Sequence, residues 1–344
     1  MREIETTKAT GHILCHDSTQ IIKGEKKGPV FRKGHVVKEE DIPVLLSVGK
    51  EHLYVWEKTE GILHENEGAL ILRDMCRNDH MSQSEIKEGK IELKAQIDGL
   101  FKIDRKKLLA VNSLGDMMIA SRHGDFPVKK GDKLAGMRII PLVIEEEKMN
   151  QAKEAVKGAP IFRILPYREK KVGIVTTGSE LSKGLIQDTF GPVIEEKLGE
   201  FPTKVMGQVY PGDDKEKITE EILTFIAQGA DMVVCTGGMS VDPDDRTPGA
   251  IKDTGAEIIS YGAPVLPGAM LLVAYYKKDG KNIPIVGLPG CVMYAKRTVF
   301  DLVLPRIMAD DPIKKEELAA LGEGGLCLNC DVCTFPNCGF GKGR

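Results

Sequence analysis

From residue 170 onward, short apolar runs alternate with glycine-containing turns and amphipathic segments, and this alternation limits the possible folds more than any other feature. The runs that predict strands are 172–176, 205–210, 232–235, 257–260, 271–276 and 283–286. The segments that predict helices are 192–198, 218–226, 247–254 and 292–308. Strands that alternate with helices are typical of a doubly wound, mostly parallel sheet. We therefore predict an α/β domain over residues 170–312.

Four loops at the ends of predicted strands contain residues that suit a phosphate and metal site. These loops are 177–181, 211–214, 237–247 and 287–290. Ligands of open α/β sheets bind beyond the carboxyl ends of the strands. Gly237 and Gly238 would let the backbone approach a ligand closely, and the carboxylates of Asp242, Asp244 and Asp245 suit a hard cation such as Mg²⁺. The pattern therefore predicts a phosphate and magnesium site at this edge.

Two common kinds of site, a catalytic triad and a standard nucleotide-binding loop, are disfavoured in the α/β region. All seven histidines precede residue 124, so a Ser-His-Asp or Cys-His arrangement within this domain is disfavoured. The G-x-G-x-x-G fingerprint after a strand and the G-x-x-x-x-G-K-[ST] loop are both missing. Chemistry at the predicted edge must therefore use carboxylates, hydroxyls, amides, lysine or arginine, or a metal.

Taken in order, the loops resemble the molybdopterin-binding domain that molybdopterin adenylyltransferase, molybdopterin molybdenumtransferase and gephyrin share. The matching residues are 176–181 (T-T-G-S-E-L), 187–189, Asp213, Asp214, Gly237, Gly238, Ser240, Asp245, 267–268 and 287–290 (G-L-P-G). The resemblance covers about residues 168–310. It implies a pterin dithiolene phosphate ligand, namely molybdopterin or its AMP adduct, together with molybdate and Mg²⁺.

The resemblance also implies roles for individual residues. It places the catalytic carboxylates at Asp245, which would bind Mg²⁺, and at Asp214 or Asp213; one of this pair would instead cap a helix. The residues implied to bind the pterin cofactor are Thr177, Gly178, Ser179, Glu180, Asp188, Gly237, Gly238, Ser240, Thr247, Gly268, Gly287, Leu288, Pro289 and Gly290. The implied reaction is Mg²⁺-dependent insertion of molybdate into adenylylated molybdopterin, with adenylyl transfer as an open alternative.

The chain departs from the family pattern at several places. After G-L-P-G the family continues with Asn-Pro-x-Ser, whereas this chain has Cys291-Val292-Met293-Tyr294, and Phe190 stands where the family has asparagine. Residues 1–150 lack the molybdenumtransferase's own signature, and its C-terminal β-domain is replaced by a cysteine-rich tail. A non-catalytic protein that binds, carries or senses the cofactor is therefore the second hypothesis.

The tail, residues 313–344, contains a compact cysteine motif. Cys327, Cys330, Cys333 and Cys338 form the pattern C-x2-C-x2-C-x4-C. Four thiolates suit either tetrahedral Zn²⁺ or an iron–sulfur cluster. The first two spacings are similar to those of bacterial ferredoxins, but the last gap is one residue longer. We predict a metal-binding tail, with zinc and iron–sulfur equally open and metal-free thiols as the remaining alternative.

The first half of the chain is predicted to form smaller modules. Residues 1–60 read as a small β-rich module, and segment 31–49 resembles part of the SAF-type β-clip domains. Residues 61–148 read as an α+β module, in which 98–99 would be the turn of a hairpin. A charged helix at 145–156 leads into a linker, residues 149–169.

Composition limits the partners and the location of the protein. The 344 residues are 42% hydrophobic and carry a formal net charge of −3, which gives no electrostatic case for nucleic acid or an acidic membrane surface. No apolar run approaches the roughly 20 residues of a membrane helix, and the N-terminus lacks the apolar core of a signal peptide. We expect a cytoplasmic protein. The resemblance implies a homo-oligomer that has a molybdoenzyme or other cofactor-assembly proteins as further partners.

Overall fold

The computed structural model describes residues 2–22, 26–55, 60–240, 242–243 and 245–343. The chain divides into two compact units. Unit 1 comprises Met1–Ile97, Ile103–Arg122 and Lys130–Ile164, and unit 2 comprises Asp98–Lys102, His123–Lys129 and Leu165–Arg344. In the described ranges, no helix combines the length and the apolar character that crossing a bilayer requires.

The first 166 residues are rich in short strands. The strands are β1 (Arg2–Glu5), β2 (Ser18–Ile22), β3 (Lys26–Phe31), β4 (His52–Val55), β5 (Ile62–His64), β6 (Met81–Gln83), β7 (Lys90–Ala95), β8 (Gly99–Ile103), β9 (Met117–Ser121), β10 (Phe126–Val128), β11 (Lys133–Ile139), β12 (Val143–Glu145) and β13 (Phe162–Pro166). The helices are α1 (Ile42–Ser47), α2 (Glu65–Cys76), α3 (Arg105–Asn112) and α4 (Glu146–Ala155).

The principal sheet of unit 1 is antiparallel, with strand order β6-β7-β11-β9. Its strands alternate buried and exposed residues, and Ile91 and Leu93 of β7 are fully buried. Helix α2 packs against β11. The predicted hairpin at residues 98–99 is wrong. Both edges of β7 are already paired, with β6 and β11, while β8 pairs antiparallel with β10.

Unit 2 contains the predicted α/β region. Its remaining strands are β14 (Lys170–Thr176), β15 (Thr203–Val209), β16 (Met232–Thr236), β17 (Glu257–Tyr261), β18 (Leu272–Lys278) and β19 (Lys281–Leu288). Its helices are α5 (Ser179–Ser182), α6 (Phe190–Gly199), α7 (Lys215–Ala227), α8 (Thr247–Asp253), α9 (Val299–Met308) and α10 (Lys315–Ala319).

These strands form one six-stranded sheet of order β15-β14-β16-β19-β18-β17. The strands β15, β14, β16 and β19 are parallel to one another. β18 pairs antiparallel with β19, and β17 pairs antiparallel with β18. Alternate residues of β14 face opposite cores: Val172 and Ile174 pack with residues of α6 and α9, whereas Val175 packs with residues of α7 and α8. Helices therefore cover both faces, which confirms the mostly parallel, doubly wound α/β fold.

The predicted long helix over 292–308 is wrong in its first half. A short 3₁₀ helix occupies Gly290–Met293, and α9 begins only at Val299. The buried Thr298 sets this start, since its hydroxyl accepts a hydrogen bond from the Phe300 amide at 3.2 Å. The Asp301 carboxylate accepts one from the Thr298 amide at 2.7 Å. This reciprocal capping box fixes a helix start inside a segment whose apolar periodicity is continuous.

We expect replacement of Gly173 by alanine to destabilise unit 2. A Cβ atom at this position of β14 would lie 2.4 Å from the Phe225 ring of α7, and overpacking of this kind costs about 1–3 kcal/mol. Gly199→Ala is the matched control, because a Cβ at the end of α6 would meet no atom within 4 Å. Urea unfolding should show a loss of stability for Gly173→Ala and none for Gly199→Ala. Equal stabilities of the two variants would contradict the packing described here.

Candidate functional site

The strand register places the four predicted loops at one edge of the sheet. Thr176 of β14 lies opposite Thr236 of β16, which in turn lies opposite Leu288 of β19. On the other side of β14, Val175 lies opposite Val209 of β15. The four parallel strands therefore end level with one another, and the loops that follow them leave the sheet together.

A row of hydrogen-bonded side chains crosses the strands at this edge. The Gln208 amide nitrogen donates to the Thr176 hydroxyl at 2.7 Å, and the Thr236 hydroxyl donates to the same oxygen at 3.1 Å. The two threonines are fully buried, so these bonds satisfy polar groups that would otherwise be costly inside the sheet. The sequence analysis missed Gln208, although a lone amide near the end of an otherwise apolar strand was a usable signal.

Thr177 and Thr247 join the loops that follow β14 and β16. Their hydroxyl oxygens lie 3.2 Å apart, and the Thr247 hydroxyl donates to the Gly237 carbonyl at 2.9 Å. Both side chains are buried. The structure therefore places these hydroxyls inside the loop framework, where they position the backbone.

Gly237 and Gly238 are required by backbone geometry as well as by space. Their φ angles are +81° and +53°, in the region that glycine occupies without strain. A Cβ on Gly237 would lie 2.5 Å from the Thr177 carbonyl oxygen, and one on Gly238 would lie 3.0 Å from the Thr247 hydroxyl. The glycine pair thus allows the two loops to touch.

The two neighbouring carboxylates after β15 have different tasks. Asp213 accepts hydrogen bonds from the Ser179 amide at 2.8 Å and the Ser179 hydroxyl at 2.5 Å, which fixes the start of α5. Asp214 is the N-cap of α7 and accepts from the Lys217 amide at 3.1 Å. That amide holds the pKa of Asp214 below its usual value. The structure therefore assigns the helix cap to Asp214 and the contact between loops to Asp213.

Asp188 is occupied by contacts within the protein. Its carboxylate accepts from the amides of Phe190 and Gly191, at 2.9 and 3.2 Å, and so positions the start of α6. It also accepts from the Gln208 amide at 2.7 Å and from the Tyr210 hydroxyl at 3.1 Å. Partial burial, together with this carboxylate, raises the pKa of Tyr210. Asp188 thus acts on the edge by holding the 187–191 segment.

Asp245 lies half-buried in the loop between β16 and α8. Its backbone amide donates to the Asp242 carbonyl at 2.9 Å. The same loop is held by Tyr261, whose hydroxyl is 2.9 Å from the Met239 carbonyl and 3.3 Å from the Ser240 carbonyl. Burial and, secondly, the charge of Asp245 raise the pKa of Tyr261. Tyr261 is a second residue of the site region that the sequence analysis missed.

Gly268 and Gly287 serve close packing behind the edge. A Cβ on Gly268, where φ is +123°, would lie 2.4 Å from a methyl carbon of Val299. A Cβ on Gly287 would lie 2.7 Å from the Met239 sulfur. Both glycines were predicted to contact the pterin. The structure shows that their lack of a side chain is already needed by neighbouring protein atoms.

The other predicted ligand contacts differ in accessibility. Leu288 and Pro289 are buried, while Gly290 is exposed. Glu180 and Ser240 are exposed, and Gly178 is half-buried with φ +130°. The atoms that a ligand could reach are therefore concentrated in the loops after β14 and β16 and at Gly290.

The carboxylates at this edge suit Mg²⁺ only as a partial ligand set. Among the described residues, no group of three or more His, Cys, Asp or Glu side chains is arranged to hold a metal ion. Asp244 lies outside the described residues. Magnesium usually keeps several waters and binds one or two carboxylates plus substrate phosphates. A single carboxylate at Asp245 fits that mode of binding.

The tail cysteines come together at another place in unit 2. Cys327 and Cys338 are half-buried, and Cys330 and Cys333 are exposed; all four are free thiols. They line one cavity of ≈ 500 Å³ together with residues 294–297. The tail motif therefore forms a shared cavity that is separate from the loops described above.

Two families match parts of the chain. Residues 3–57 match a domain of unknown function (DUF8806). Residues 173–309 match the family described as a probable molybdopterin binding domain. This second match covers β14 from Gly173 onward, the strands β15–β19 and the four loops.

Several curated proteins are similar to the same region. A molybdopterin adenylyltransferase from Pyrococcus furiosus is 34% identical over 92 residues, which is 27% of this chain and 54% of that protein. A molybdopterin molybdenumtransferase from Synechococcus elongatus is 26% identical over 147 residues, 40% of this chain and 34% of that protein. A CinA-like protein from a Mycobacterium species is 32% identical over 90 residues, 26% of this chain and 21% of that protein. The chain thus spans about half the length of the first relative and less of the others.

Solved structures include similar chains. The tungsten cofactor synthesizing protein MoaB from Pyrococcus furiosus is 23% identical, with 36% of this chain and 84% of that chain covered and a TM-score of 0.32. A putative molybdenum cofactor biosynthesis protein from Corynebacterium diphtheriae is 18% identical, with coverages of 44% and 100% and a TM-score of 0.33. The match that identifies the domain is the one over residues 173–309. These residues, which contain most of the six-stranded sheet and its four level loops, match the molybdopterin-binding domain.

Proposed function

We propose that this protein acts in molybdenum cofactor biosynthesis. It would bind molybdopterin or its AMP adduct at the edge formed by the loops after β14, β15, β16 and β19, and insert molybdate with release of AMP. The observation that carries this proposal is the strand register, which brings the loops of a molybdopterin-binding domain together at one edge. Binding at the carboxyl ends of parallel strands is the general behaviour of open α/β sheets.

Accessible groups in these loops have the chemistry of a pterin phosphate site. The exposed Ser240 and the half-buried Ser179 present hydroxyls, and Gly290 presents backbone. The Ser179 hydroxyl already donates its one proton to Asp213, so Ser179 orders its loop, and the donors left for an anion are the Ser240 hydroxyl and backbone amides. A loop that is ordered before the ligand arrives lowers the entropic cost of binding.

Asp245 is the carboxylate that we assign to Mg²⁺ and to the reaction. When bound, Mg²⁺ would neutralise negative charge on the phosphates and help align the reacting groups. Tyr261 holds the Met239–Ser240 backbone, and thereby steadies the loop that carries Asp245. In this proposal, Thr177, Thr247 and Asp188 position the loops and do not touch the ligand.

A non-catalytic carrier or sensor of the cofactor is the second candidate function. The observation that favours it is the use of Asp213 and Asp214 to hold backbone amides. That use leaves Asp245 as the one predicted catalytic carboxylate without an assigned capping or anchoring role. A carrier would bind the pterin ligand tightly and would not release AMP.

Purified protein incubated with adenylylated molybdopterin, molybdate and Mg²⁺ should release AMP. Asp245→Asn removes the negative charge and keeps the shape, so we expect the rate to fall at least about tenfold, which corresponds to ~1.4 kcal/mol. Binding of the adenylylated ligand should persist. AMP formation followed by chromatography measures the rate, and equilibrium titration measures the affinity.

The control for this experiment is Asp242→Asn, a carboxylate in the same loop that should leave the rate within about twofold, or ~0.4 kcal/mol. Tight binding without AMP release by the unmodified protein would establish the carrier and refute the enzyme. Failure to bind any pterin ligand would refute both candidates.

Substitutions of Asp213 and Asp214, the two carboxylates after β15, should have different effects on ligand binding and on stability. Asp213→Ala removes the acceptor that fixes Ser179, so we expect weaker binding of the pterin ligand, by about tenfold or ~1.4 kcal/mol. Asp214→Ala removes only the cap of α7. It should lower the midpoint of thermal unfolding and leave affinity unchanged. Equal affinities of the two variants would show that the contact between Asp213 and Ser179 plays no part in binding.

A further inference from the structure

The cysteine-rich tail is folded onto unit 2. Leu326 forms a parallel bridge with Leu266, the Leu266 amide donates to the Gly325 carbonyl, and the Cys327 amide donates to the Leu266 carbonyl, each at 2.8 Å. Near its end, Phe340 is 4% exposed and packs in the core of unit 2. Both ends of the cysteine motif are therefore anchored, and the half-buried Cys327 and Cys338 pack against the core of unit 2.

The anchored motif encloses a space. Cys327, Cys330, Cys333 and Cys338 all line the same cavity of ≈ 500 Å³. Leu326, Leu328, Phe335 and Phe340 contribute apolar wall, Lys296 and Arg297 contribute positive charge, and Asp331 contributes one negative charge. A cavity lined by four thiols and apolar side chains offers soft ligands to a metal.

A zinc ion and a four-iron cluster need different spacings of the four sulfurs. Zinc–sulfur bonds are about 2.3 Å long, so the sulfurs of a zinc site lie within about 4 Å of one another. The four thiolates of a four-iron cluster lie farther apart, because each of them binds a different iron. In the part of the chain that the structure describes, no three Cys, His, Asp or Glu side chains are already grouped to hold a metal ion, whereas the four thiols share one wide cavity.

We propose that Cys327, Cys330, Cys333 and Cys338 together bind one iron–sulfur cluster of the four-iron type in this cavity. The C-x2-C-x2-C run is the spacing with which bacterial ferredoxins bind three corners of such a cluster. Cys338 supplies the fourth corner of the same cluster. The four residues between Cys333 and Cys338 form a turn, in which the Asn337 amide donates to the Thr334 carbonyl at 2.7 Å. The peptide bond between Phe335 and Pro336 in this turn is cis.

Charge in the surroundings supports this ligand. A cluster with four thiolate ligands carries net negative charge, and a nearby cation stabilises it. The Lys296 ammonium donates to the Asp331 carbonyl at 3.0 Å, which places it over the loop between Cys330 and Cys333. Arg297 lies with its guanidinium 5.2 Å from the centroid of the Phe335 ring, although Glu200 and Asp301 already pair with it.

The test is made on the full chain under strict exclusion of oxygen. The protein is reconstituted with ferric iron, sulfide and excess dithiothreitol, and unbound iron is then removed. We expect about four irons and about four acid-labile sulfides per chain, with the broad visible absorption of thiolate-bound iron that dithionite bleaches. The double variant Cys330→Ser/Cys333→Ser changes two exposed ligands and should lose the cluster.

Cys291→Ser is the matched control, because this thiol lies outside the cavity and its replacement should leave the iron and sulfide content unchanged. Circular dichroism and thermal unfolding establish that each variant is folded before its content is compared. One zinc per chain without sulfide would overturn the proposal. It would also be overturned if the folded chain took up no iron, or if the double variant kept a full complement of iron and sulfide.

Discussion

The level register of the four parallel strands is the constraint on which the site region depends. Thr176 pairs with Thr236, and Thr236 with Leu288, so a shift of one residue would turn each side chain to the opposite face. The hydrogen bonds from Gln208 and Thr236 to Thr176 reinforce this alignment within the buried sheet. Because the strands end together, loops separated by more than a hundred residues come to one edge.

Much of the polar chemistry at that edge holds the protein together. Asp188, Asp213, Asp214, Thr177 and Thr247 all make internal hydrogen bonds. These bonds fix the starts of helices and join adjacent loops, which gives the edge a defined shape without a ligand. Such preorganisation lowers the entropic cost of binding, and it also leaves few side chains available for chemistry.

The tail and the sheet edge have different physical characters. The edge offers hydroxyls, backbone and a carboxylate, which suit hard anions and hard cations. The tail cavity offers thiols and apolar walls, which suit soft, iron–sulfur chemistry. Unit 2 therefore presents two groups of side chains with different chemistry.

The sequence by itself determined the α/β class, the order of the strands and helices in residues 170–308, and the identity of the loops, because hydrophobic periodicity and glycine turns are local signals. The predicted hairpin at 98–99 is wrong because β7 is already paired on both edges. The predicted helix over 292–298 is wrong because Thr298 caps α9. Both contacts depend on neighbours that folding brings together.

The predicted division into five segments and the ligand roles remain predictions. Only the tertiary structure separated the tasks of Asp213 and Asp214, revealed Gln208 and Tyr261, and gathered the four cysteines around one cavity. The sequence identifies the side chains that can react. Only the distances between strands and loops in the folded protein show which of these side chains already bind one another.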